Sequence, residues 1–180
     1  RQVMTTTIEN ISRRDFLKAG VVAGASLTLG VWFGPHAEAA PASAGGALTP
    51  NAFVRIGADD SVTVIVKHLE MGQGTYTGLP TLVAEELDAA WSQIRVEGAP
   101  ADAKRYNNLF WGPAQGTGGS TAMGNSFEQM RRAGAAARAM LVAAAAKEWQ
   151  VPPASIRVAQ GVVSHASGKK ATFGQLAAKA

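Results

Sequence analysis

The sequence predicts an α+β fold in which helices pack on small mixed sheets. Short runs of alternating apolar and polar residues, typical of half-buried strands, occur in pairs along the chain. Two longer amphipathic segments follow glycine-rich stretches and are typical of helices. The resulting order is ββ-loop-α-β, then loop-α-ββ-α. The chain has 180 residues, of which 47% are hydrophobic, which is enough for one domain with a sizeable core.

The first half of the order begins with a hairpin. Residues 53–56 and 61–67 are strand patterns on either side of a Gly-Ala-Asp-Asp turn. An amphipathic helix is predicted over residues 79–90, and another strand over residues 94–97. Residues 99–108 are polar and predict an irregular connection. The apolar stripe of the helix consists of Leu79, Leu82, Val83, Leu87 and Ala90.

The second half contains a long alanine-rich helix, predicted over residues 127–150 because alanine has the highest helix propensity. Pro152 and Pro153 end it. Two strands follow at residues 156–159 and 161–164, and Thr172 is the expected N-cap of a last helix. The apolar stripe of the long helix consists of Phe127, Met130, Gly134, Ala137, Leu141 and Ala145.

Residues 1–39 read as an export signal of the twin-arginine type. The run Ser12-Arg13-Arg14-Asp15-Phe16-Leu17-Lys18 precedes an apolar stretch, and Ala37-Glu38-Ala39 is a small-x-small cleavage site. The apolar stretch is short of the roughly 20 residues that a membrane-spanning helix needs. We therefore expect folded export to the periplasm with cleavage, and an uncleaved membrane anchor is the alternative. Residues 40–50 are predicted to be a linker, and residues 51–180 the exported domain.

Composition excludes several kinds of site. The chain has no cysteine, so by itself it cannot hold an iron–sulfur cluster or a cysteine-ligated zinc ion. His36, His68 and His165 are far apart and lack metal-ligand spacing, so no metal ligand is predicted. The net charge of +4 is too small and too scattered to indicate nucleic-acid binding.

Two glycine-rich stretches carry the candidate chemistry. The first, residues 68–78, joins a strand to a helix, where a chain exposes unpaired backbone N–H groups to an anion. The second, residues 112–121, also precedes a helix. Both add neutral polar side chains, which suit a large heterocycle with a phosphate better than a phosphate monoester. These side chains are Gln73, Thr75, Thr77, Gln115, Thr117, Ser120 and Thr121.

Each of these features also has a purely structural interpretation. The spacing of Gly72, Gly74 and Gly78 misses the dinucleotide fingerprint by one residue and lacks its acidic partner, which argues against a nicotinamide site. Alternatively, both loops are tight connections that need glycine only for their backbone conformation. His68, on a strand, is more often a packed or hydrogen-bonded histidine. The aromatic residues Tyr106 and Trp111 either stack on a flat ligand or pack in the core or at its rim.

The motifs resemble the molybdenum-binding subunit of the xanthine oxidase family. The first motif that shows the resemblance is Glu70-Met71-Gly72-Gln73-Gly74 followed by Val83-Ala84-Glu85-Glu86-Leu87. The second is Gly116-Thr117-Gly118-Gly119-Ser120-Thr121, followed by Arg131-x-x-Gly134-Ala135-Ala136-Ala137-Arg138 and Trp149-x-Val151-Pro152. The resemblance is to the exported branch, typified by isoquinoline 1-oxidoreductase (its beta chain) and by periplasmic aldehyde dehydrogenases. Large subunits of that branch begin with a twin-arginine leader.

The resemblance implies a molybdopterin cofactor with molybdenum, usually as the cytosine dinucleotide. It assigns cofactor contacts to Met71, Gly72, Gln73 and Gly74, and to Gly119, Ser120 and Thr121 in the second loop. The implied activity is oxidation of aldehydes or N-heterocycles by water-derived hydroxylation. Electrons would pass to [2Fe–2S] clusters on a separate small subunit, with a cytochrome c subunit as a further expected partner. Membrane association would arise through a partner or an uncleaved leader.

The resemblance also implies what the chain lacks. Family members are several times longer, and their catalytic glutamate lies near the far C-terminus, so it is expected beyond Ala180. Glu70, Glu85 and Glu86 do not match that position, and no catalytic residue is predicted. Residues 51–180 are therefore expected to be the N-terminal, incomplete part of a molybdopterin-binding domain, inactive alone. The alternative is a non-catalytic exported binding or structural domain whose glycine loops are only turns.

Overall fold

The computed structural model describes residues 48–180, in which helices pack on two small sheets. This architecture confirms the predicted α+β class. The predicted signal peptide, 1–39, and most of the predicted linker lie outside the described residues.

The first sheet has four strands in the order β1-β2-β3-β4. Its strands are β1 (Leu48–Asn51), β2 (Val54–Ile56), β3 (Val62–Val66) and β4 (Ile94–Gly98). The antiparallel pairing of β2 with β3 confirms the predicted hairpin, and β4 runs parallel to β3. The strand β1 was not predicted, and it begins inside the segment interpreted as a linker. It pairs antiparallel with β2, a backbone interaction that a composition rich in small residues does not reveal.

The helix α1 (Thr75–Leu87) crosses from β3 to β4. It begins four residues before the predicted start, because Gly74 adopts a left-handed conformation, φ 85°, as the N-cap. The predicted stripe is confirmed in part: Leu79, Val83 and Leu87 are fully buried, whereas Leu82 is half-buried and Ala90 lies beyond the end of the helix. A 3₁₀ turn (Trp91–Gln93) leads into β4.

The connection after β4 contains a short helix, α2 (Ala103–Tyr106), where an irregular segment was predicted. The Asp102 carboxylate caps it by accepting the N–H groups of Lys104 and Arg105 at 3.0 and 3.3 Å. A one-turn helix of this kind depends on its cap rather than on periodicity, so the periodic pattern could not show it.

The long helix α3 (Ala122–Trp149) starts five residues before its predicted start. The predicted stripe is buried from Met130 to Ala145, as expected. The prediction was wrong for Phe127, which is 48% exposed. Its ring instead faces the guanidinium of Arg131 at 5.5 Å. A helical wheel gives the direction of a side chain, but not how far the neighbouring element extends along the helix.

The second sheet is antiparallel, with the order β5-β6-β7. Its strands are β5 (Ile156–Ala159), β6 (Val162–His165) and β7 (Lys170–Thr172), and a 3₁₀ turn (Pro153–Ser155) precedes them. The β5–β6 hairpin was predicted and β7 was not. The last helix, α4 (Phe173–Ala177), is capped as expected, because Thr172 Oγ1 accepts the N–H of Gln175 at 3.4 Å.

The helices α1 and α3 approach each other very closely at Gly134. A Cβ atom at this position would lie 2.7 Å from the carbonyl oxygen of Val83, so only glycine allows the two backbones to come so near. Two ion pairs lie along the same contact, Glu86–Arg131 and Asp88–Arg138, the latter at 2.8 Å. Because each helix directly follows one glycine-rich loop, this contact also fixes the distance between the loops. Within residues 48–180, no helix is long and apolar enough to span a membrane.

We expect Gly134→Ala to destabilise the protein by roughly 1–3 kcal/mol, as overpacking against an immobile backbone does. Helix propensity alone would predict the opposite sign. The matched control is Gly124→Ala in the same helix, whose added methyl would meet only the Phe110 side chain, at 3.7 Å. Chemical denaturation of the purified protein measures both. Equal stability of the two variants would contradict the close contact.

Candidate functional site

The first glycine-rich turn, residues 67–74, connects β3 to α1. Gly72 and Gly74 have φ angles of 94° and 85°, and no atom lies within 4 Å of a Cβ built on either. These glycines are therefore required for backbone conformation rather than for lack of space. The four residues predicted to contact the cofactor, Met71, Gly72, Gln73 and Gly74, are all exposed on this turn.

The Glu70 carboxylate occupies the N-terminus of α1. Its Oε1 accepts the N–H groups of Gly72 and Gly74 at 2.7 and 3.1 Å, and its Oε2 accepts the N–H of Tyr76 at 2.9 Å. Hydrogen bonds from Tyr76, Gly74 and Gly72 hold the pKa of this carboxyl below its usual value. The expectation that these N–H groups are unpaired and available to an anion was therefore wrong, because a side chain of the same turn accepts them.

The Gln73 side chain also folds back on the turn. Its Nε2 donates to the carbonyl of Leu69 at 2.6 Å, and its Oε1 accepts the N–H of Met71 at 2.5 Å. Among residues 48–180, the backbone N–H groups of Gln73 and Thr75 have no hydrogen-bond partner. Gln73 is exposed, so its N–H is available to a ligand, whereas Thr75 is 2% exposed. Met71 adds an apolar side chain that is 68% exposed.

The second loop is organised around the buried side chain of Asn108. Its Nδ2 donates to Thr121 Oγ1 at 2.8 Å and to the Gly116 carbonyl at 3.4 Å, and its Oδ1 accepts the N–H of Phe110 at 3.1 Å. Thr121 Oγ1 in turn donates to the carbonyl of Gly118 at 2.8 Å. One amide therefore joins the residues just before the loop to its middle and its end.

The indole of Trp111 lies against the glycines of the second loop. A Cβ on Gly116 would come within 2.6 Å of this ring, and one on Gly118 within 3.1 Å. Trp111 thus packs on its own loop, while Tyr106 is a core residue with an edge-to-face contact to Phe53 at 5.5 Å and a hydroxyl that donates to Ala52. Of the two roles considered for these aromatics, the structure shows packing.

The two loops meet at the end of β3. The N–H of Leu69 donates to Thr117 Oγ1 at 2.8 Å, and His68 Nδ1 lies 3.5 Å from the same hydroxyl. On its other side, His68 Nε2 is 3.2 Å from the Asn125 amide at the start of α3. His68 is 1% exposed, and burial is the main cause that lowers its pKa. The packed, hydrogen-bonded interpretation of His68 is confirmed, and its hydrogen bonds join the two loops.

Lys67 is a second buried polar residue at this junction. Its ammonium donates to the carbonyl of Asn107 at 3.0 Å, and within residues 48–180 no carboxylate forms an ion pair with it. The side chain is 4% exposed, and burial lowers its pKa to about 8. Lys67 therefore bonds Asn107, which precedes the second loop, whereas the adjacent His68 contacts Thr117 within it.

The remaining predicted contact residues lie at the end of the second loop. Gly119 and Ser120 are exposed and have φ angles of 62° and 55°, whereas Thr121 is half-buried. Most of the neutral polar side chains proposed as ligand donors instead hold the loops together. The Thr75 hydroxyl donates to the Leu69 carbonyl within the first turn, and the Thr117 hydroxyl accepts the Leu69 N–H. The Thr121 hydroxyl donates to the Gly118 carbonyl. The Gln115 amide accepts the N–H of Asp102 and donates to the carbonyl of Pro100.

Sequence reasoning missed the roles of Glu70, Lys67, Asn108 and Asn125. A weak signal existed for Glu70, since a carboxylate a few residues before a helix often caps it. The other three are polar residues whose burial depends on contacts between distant segments, which a local pattern does not contain. In the described part of the chain, no group of three or more His, Cys, Asp or Glu side chains is arranged to hold a metal ion.

A comparison with protein families matches residues 10–180 to a molybdopterin cofactor-binding domain. Among curated proteins, the beta subunit of isoquinoline 1-oxidoreductase from Brevundimonas diminuta is 42% identical over 177 residues, which cover 93% of this chain and 22% of the relative. A second relative is the membrane-bound aldehyde dehydrogenase [pyrroloquinoline-quinone] from Gluconacetobacter polyoxogenes. It is 34% identical over 182 residues, which cover 94% of this chain and 21% of the relative. The chain thus spans about a fifth of these relatives.

Solved structures show the same fold. Quinoline 2-oxidoreductase from Pseudomonas putida 86 superposes with a TM-score of 0.53 at 20% identity, covering 69% of this chain and 15% of that one. CO dehydrogenase from Oligotropha carboxidovorans gives a TM-score of 0.54 at 21% identity with the same coverage. At this identity the likeness concerns the fold alone.

The lowered pKa of Lys67 predicts a distinctive pH dependence of stability. Its folded pKa of about 8 lies below the ordinary lysine value of 10.5, so between these values the unfolded state binds more protons. The free energy of unfolding should therefore rise with pH in this window, by roughly 1–3 kcal/mol relative to Lys67→Met. Below about pH 8 the cost of the buried charge is present in full.

Denaturant titrations at several pH values between 7 and 10 measure this difference. Lys104→Met, which replaces an exposed lysine of α2, is the control for the loss of a lysine side chain. Parallel curves for the native protein and Lys67→Met would show that Lys67 is not held in a low-dielectric environment.

Proposed function

Because the chain belongs to the molybdopterin cofactor-binding domain family, we propose that its two glycine-rich loops hold part of the molybdenum cofactor of a larger oxidoreductase subunit. The family match over residues 10–180 carries this proposal, and it confirms the resemblance inferred from the motifs. The geometry supports it, because both loops are brought together at His68 and Thr117 in front of two helix N-termini.

The residues present fit a large, flat ligand lying across the loops. The Cβ positions of Gly72, Gly74 and Gly112 have no atom within 4 Å, so the backbone is open to close approach. The N–H group of Gln73 and the side chain of Ser120, both exposed residues, are donors of the kind that a pterin accepts. Met71, Gly72, Gln73 and Gly74, with Gly119, Ser120 and Thr121, would hold the group.

The proposed activity is oxidation of an aldehyde or an N-heterocycle with oxygen derived from water. When bound, molybdenum would supply the redox chemistry, and the residues of this chain would bind and orient the cofactor. None of them would transfer a proton in the reaction. Glu70 is already engaged by three backbone N–H groups, and the nearby His68 is 1% exposed. The catalytic glutamate expected from the family would therefore come from another segment of the full protein.

The finer aspects of the proposal concern location and partners. We infer export to the periplasm from Arg13 and Arg14 and the apolar stretch that follows, with an uncleaved leader or a partner as the route to a membrane. From the family resemblance we also infer [2Fe–2S] clusters on a separate small subunit, with a cytochrome c subunit as a further partner. We also infer the cytosine dinucleotide form of the cofactor.

Two relatives are named for N-heterocycles. They are the isoquinoline 1-oxidoreductase chain and the B subunit of nicotinate dehydrogenase from Pseudomonas putida, the latter 31% identical over 69% of this chain and 10% of its own length. The third is named for aldehydes. An N-heterocycle is thus the first substrate class to assay, and an aldehyde the second.

Expression of the full-length gene with its neighbours tests the proposal. We expect purified protein to contain molybdenum, measured by mass spectrometry, and to release a fluorescent pterin on oxidation. Pyrroloquinoline quinone without molybdenum would contradict the molybdenum assignment. Absence of both, under conditions that load other molybdoenzymes, would favour the non-catalytic binding or structural domain. Turnover of isoquinoline against acetaldehyde then separates the two substrate classes.

We expect Gln73→Ala to lower molybdenum occupancy several-fold, because the amide both shapes the turn and lies within the proposed contact surface. Gln150→Asn is the control, since Gln150 is exposed in a left-handed conformation at the other end of α3, where asparagine is tolerated. Unchanged occupancy in Gln73→Ala would remove the first turn from the cofactor site while leaving the family assignment intact.

A further inference from the structure

The strand β4 lies at one edge of the first sheet and is exposed on both faces. It runs parallel to β3, whose valines Val62, Val64 and Val66 are buried. Four of the five residues of β4, those from 95 to 98, are exposed. Parallel strands in proteins are nearly always covered on both faces. The exposure of β4 is therefore unusual for a strand that pairs in this direction.

The open edge of β4 carries unpaired backbone groups. The N–H of Ala99 donates to the Val66 carbonyl at 2.9 Å, which fixes the direction of alternate groups along the strand. The N–H of Glu97 accordingly points to β3, whereas those of Val96 and Gly98 point away from it. In the described part of the chain, β4 pairs only with β3, so the N–H groups of Val96 and Gly98 have no acceptor.

The opposite edge of the same sheet is protected against further pairing. Its strand β1 contains Pro50, which has no N–H, and its register with β2 is irregular between Leu48 and Asn51. Proline, lysine and bulges are the usual devices that prevent an edge strand from pairing. The strand β4 has neither proline nor lysine, and its register with β3 is regular over all five residues.

The side chains of β4 leave its edge accessible to another strand. Glu97 forms an ion pair with Arg55 of β2, and Arg95 donates to two nearby carbonyl groups, so both charges are already engaged. Val96 lies on the same face as the buried valines of β3 but is 37% exposed. One face thus offers an apolar side chain and the other offers paired charges. This pattern fits an extended segment with alternating apolar and polar residues.

We propose that β4 is an internal strand of the full-length subunit, because an extended segment of the same subunit, from outside residues 1–180, pairs with its open edge. The chain spans about a fifth of its relatives, so the remaining sequence is a large source of strands. A segment of the same polypeptide also has a high effective concentration at this edge. The inference rests on the larger subunit of the proposed function, but not on the cofactor.

The added strand would bring another part of the subunit to the candidate site. Gly98 pairs with Val66, which directly precedes Lys67 and His68 at the junction of the two loops. One end of a strand that matches β4 in length would therefore lie beside this junction. Backbone pairing of this kind gives affinity through main-chain hydrogen bonds, and the alternating side chains give specificity.

Hydrogen–deuterium exchange of the purified full-length protein, resolved to single amides, tests the pairing. We expect the amides of Val96 and Gly98 to exchange as slowly as those of Glu97 and Ala99, because every amide of an internal strand is hydrogen-bonded. An open edge would instead give an alternation, with Val96 and Gly98 exchanging many-fold faster than the other two. This alternation would overturn the proposal.

A proline variant tests whether a distant segment depends on this edge. Val96→Pro removes the outward N–H and keeps the hydrogen bonds to β3. We expect it to accelerate exchange many-fold in one segment outside residues 1–180, the proposed partner strand. Val96→Thr keeps the N–H and the branched side chain, and is the control. Acceleration confined to residues 94–98 would contradict the pairing, and if Val96→Pro does not fold, the single-amide data on the native protein still decide.

A photoreactive cross-linker identifies the occupant of the edge. We expect p-benzoylphenylalanine in place of Val96 to form a cross-link to a peptide of the same subunit outside residues 1–180. A cross-link to the small subunit would refute this occupant. A covalent dimer of two large subunits on a denaturing gel would refute it as well, because a second copy would then cover the edge.

Molybdenum content separates this inference from the proposed function. Protein without molybdenum would refute the cofactor assignment, whereas exchange at Val96 and Gly98 would still decide whether β4 is paired. Alternating exchange in protein that contains molybdenum would refute the inference and leave the proposed function standing.

Discussion

The structure depends on the close contact of α1 with α3 at Gly134. Each of the two helices begins where a glycine-rich loop ends, so their contact determines how far apart the loops lie. The missing side chain at Gly134 lets the backbone of Val83 approach to a distance that any Cβ would prevent. The polar contacts of Lys67, His68 and Asn125 lie between the segments at the starts of these two helices. A packing constraint in the core therefore bears on the geometry of a buried polar junction between the loops.

The sequence predicted those features that depend on local periodicity. Apolar spacing predicted the α+β class, the β2–β3 and β5–β6 hairpins, and most of the buried stripes of the two longer helices. The preference of threonine for the N-cap position predicted the role of Thr172. The strands β1 and β7 were missed because they are short and exist by pairing with a neighbour. The helix α2 was missed because a single capped turn has no period to detect.

The candidate site was predictable in position but not in internal bonding. Two glycine stretches before two helices pointed to the two loops that meet in the structure, and the family match agrees with the motifs that suggested it. The sequence suggested donors aimed outward, whereas Glu70 and Asn108 accept or supply many of the hydrogen bonds inside the loops. Short polar side chains can bond the ligand or their own backbone, and only the folded geometry distinguishes the two.

The packing of Trp111 gives the second loop an optical property of its own. The indole covers Gly116 and Gly118 and remains 43% exposed, so its emission depends on the conformation of this loop and on whatever covers it. Trp91 is 53% exposed, at a 3₁₀ turn, and Trp149 is 8% exposed in the core. Phenylalanine at these two positions and at Trp32, in the predicted signal peptide, would remove the background of the chain's other three tryptophans. The loop thus carries an intrinsic fluorophore, through which the arrival of an absorbing heterocycle could be followed in time without any added label.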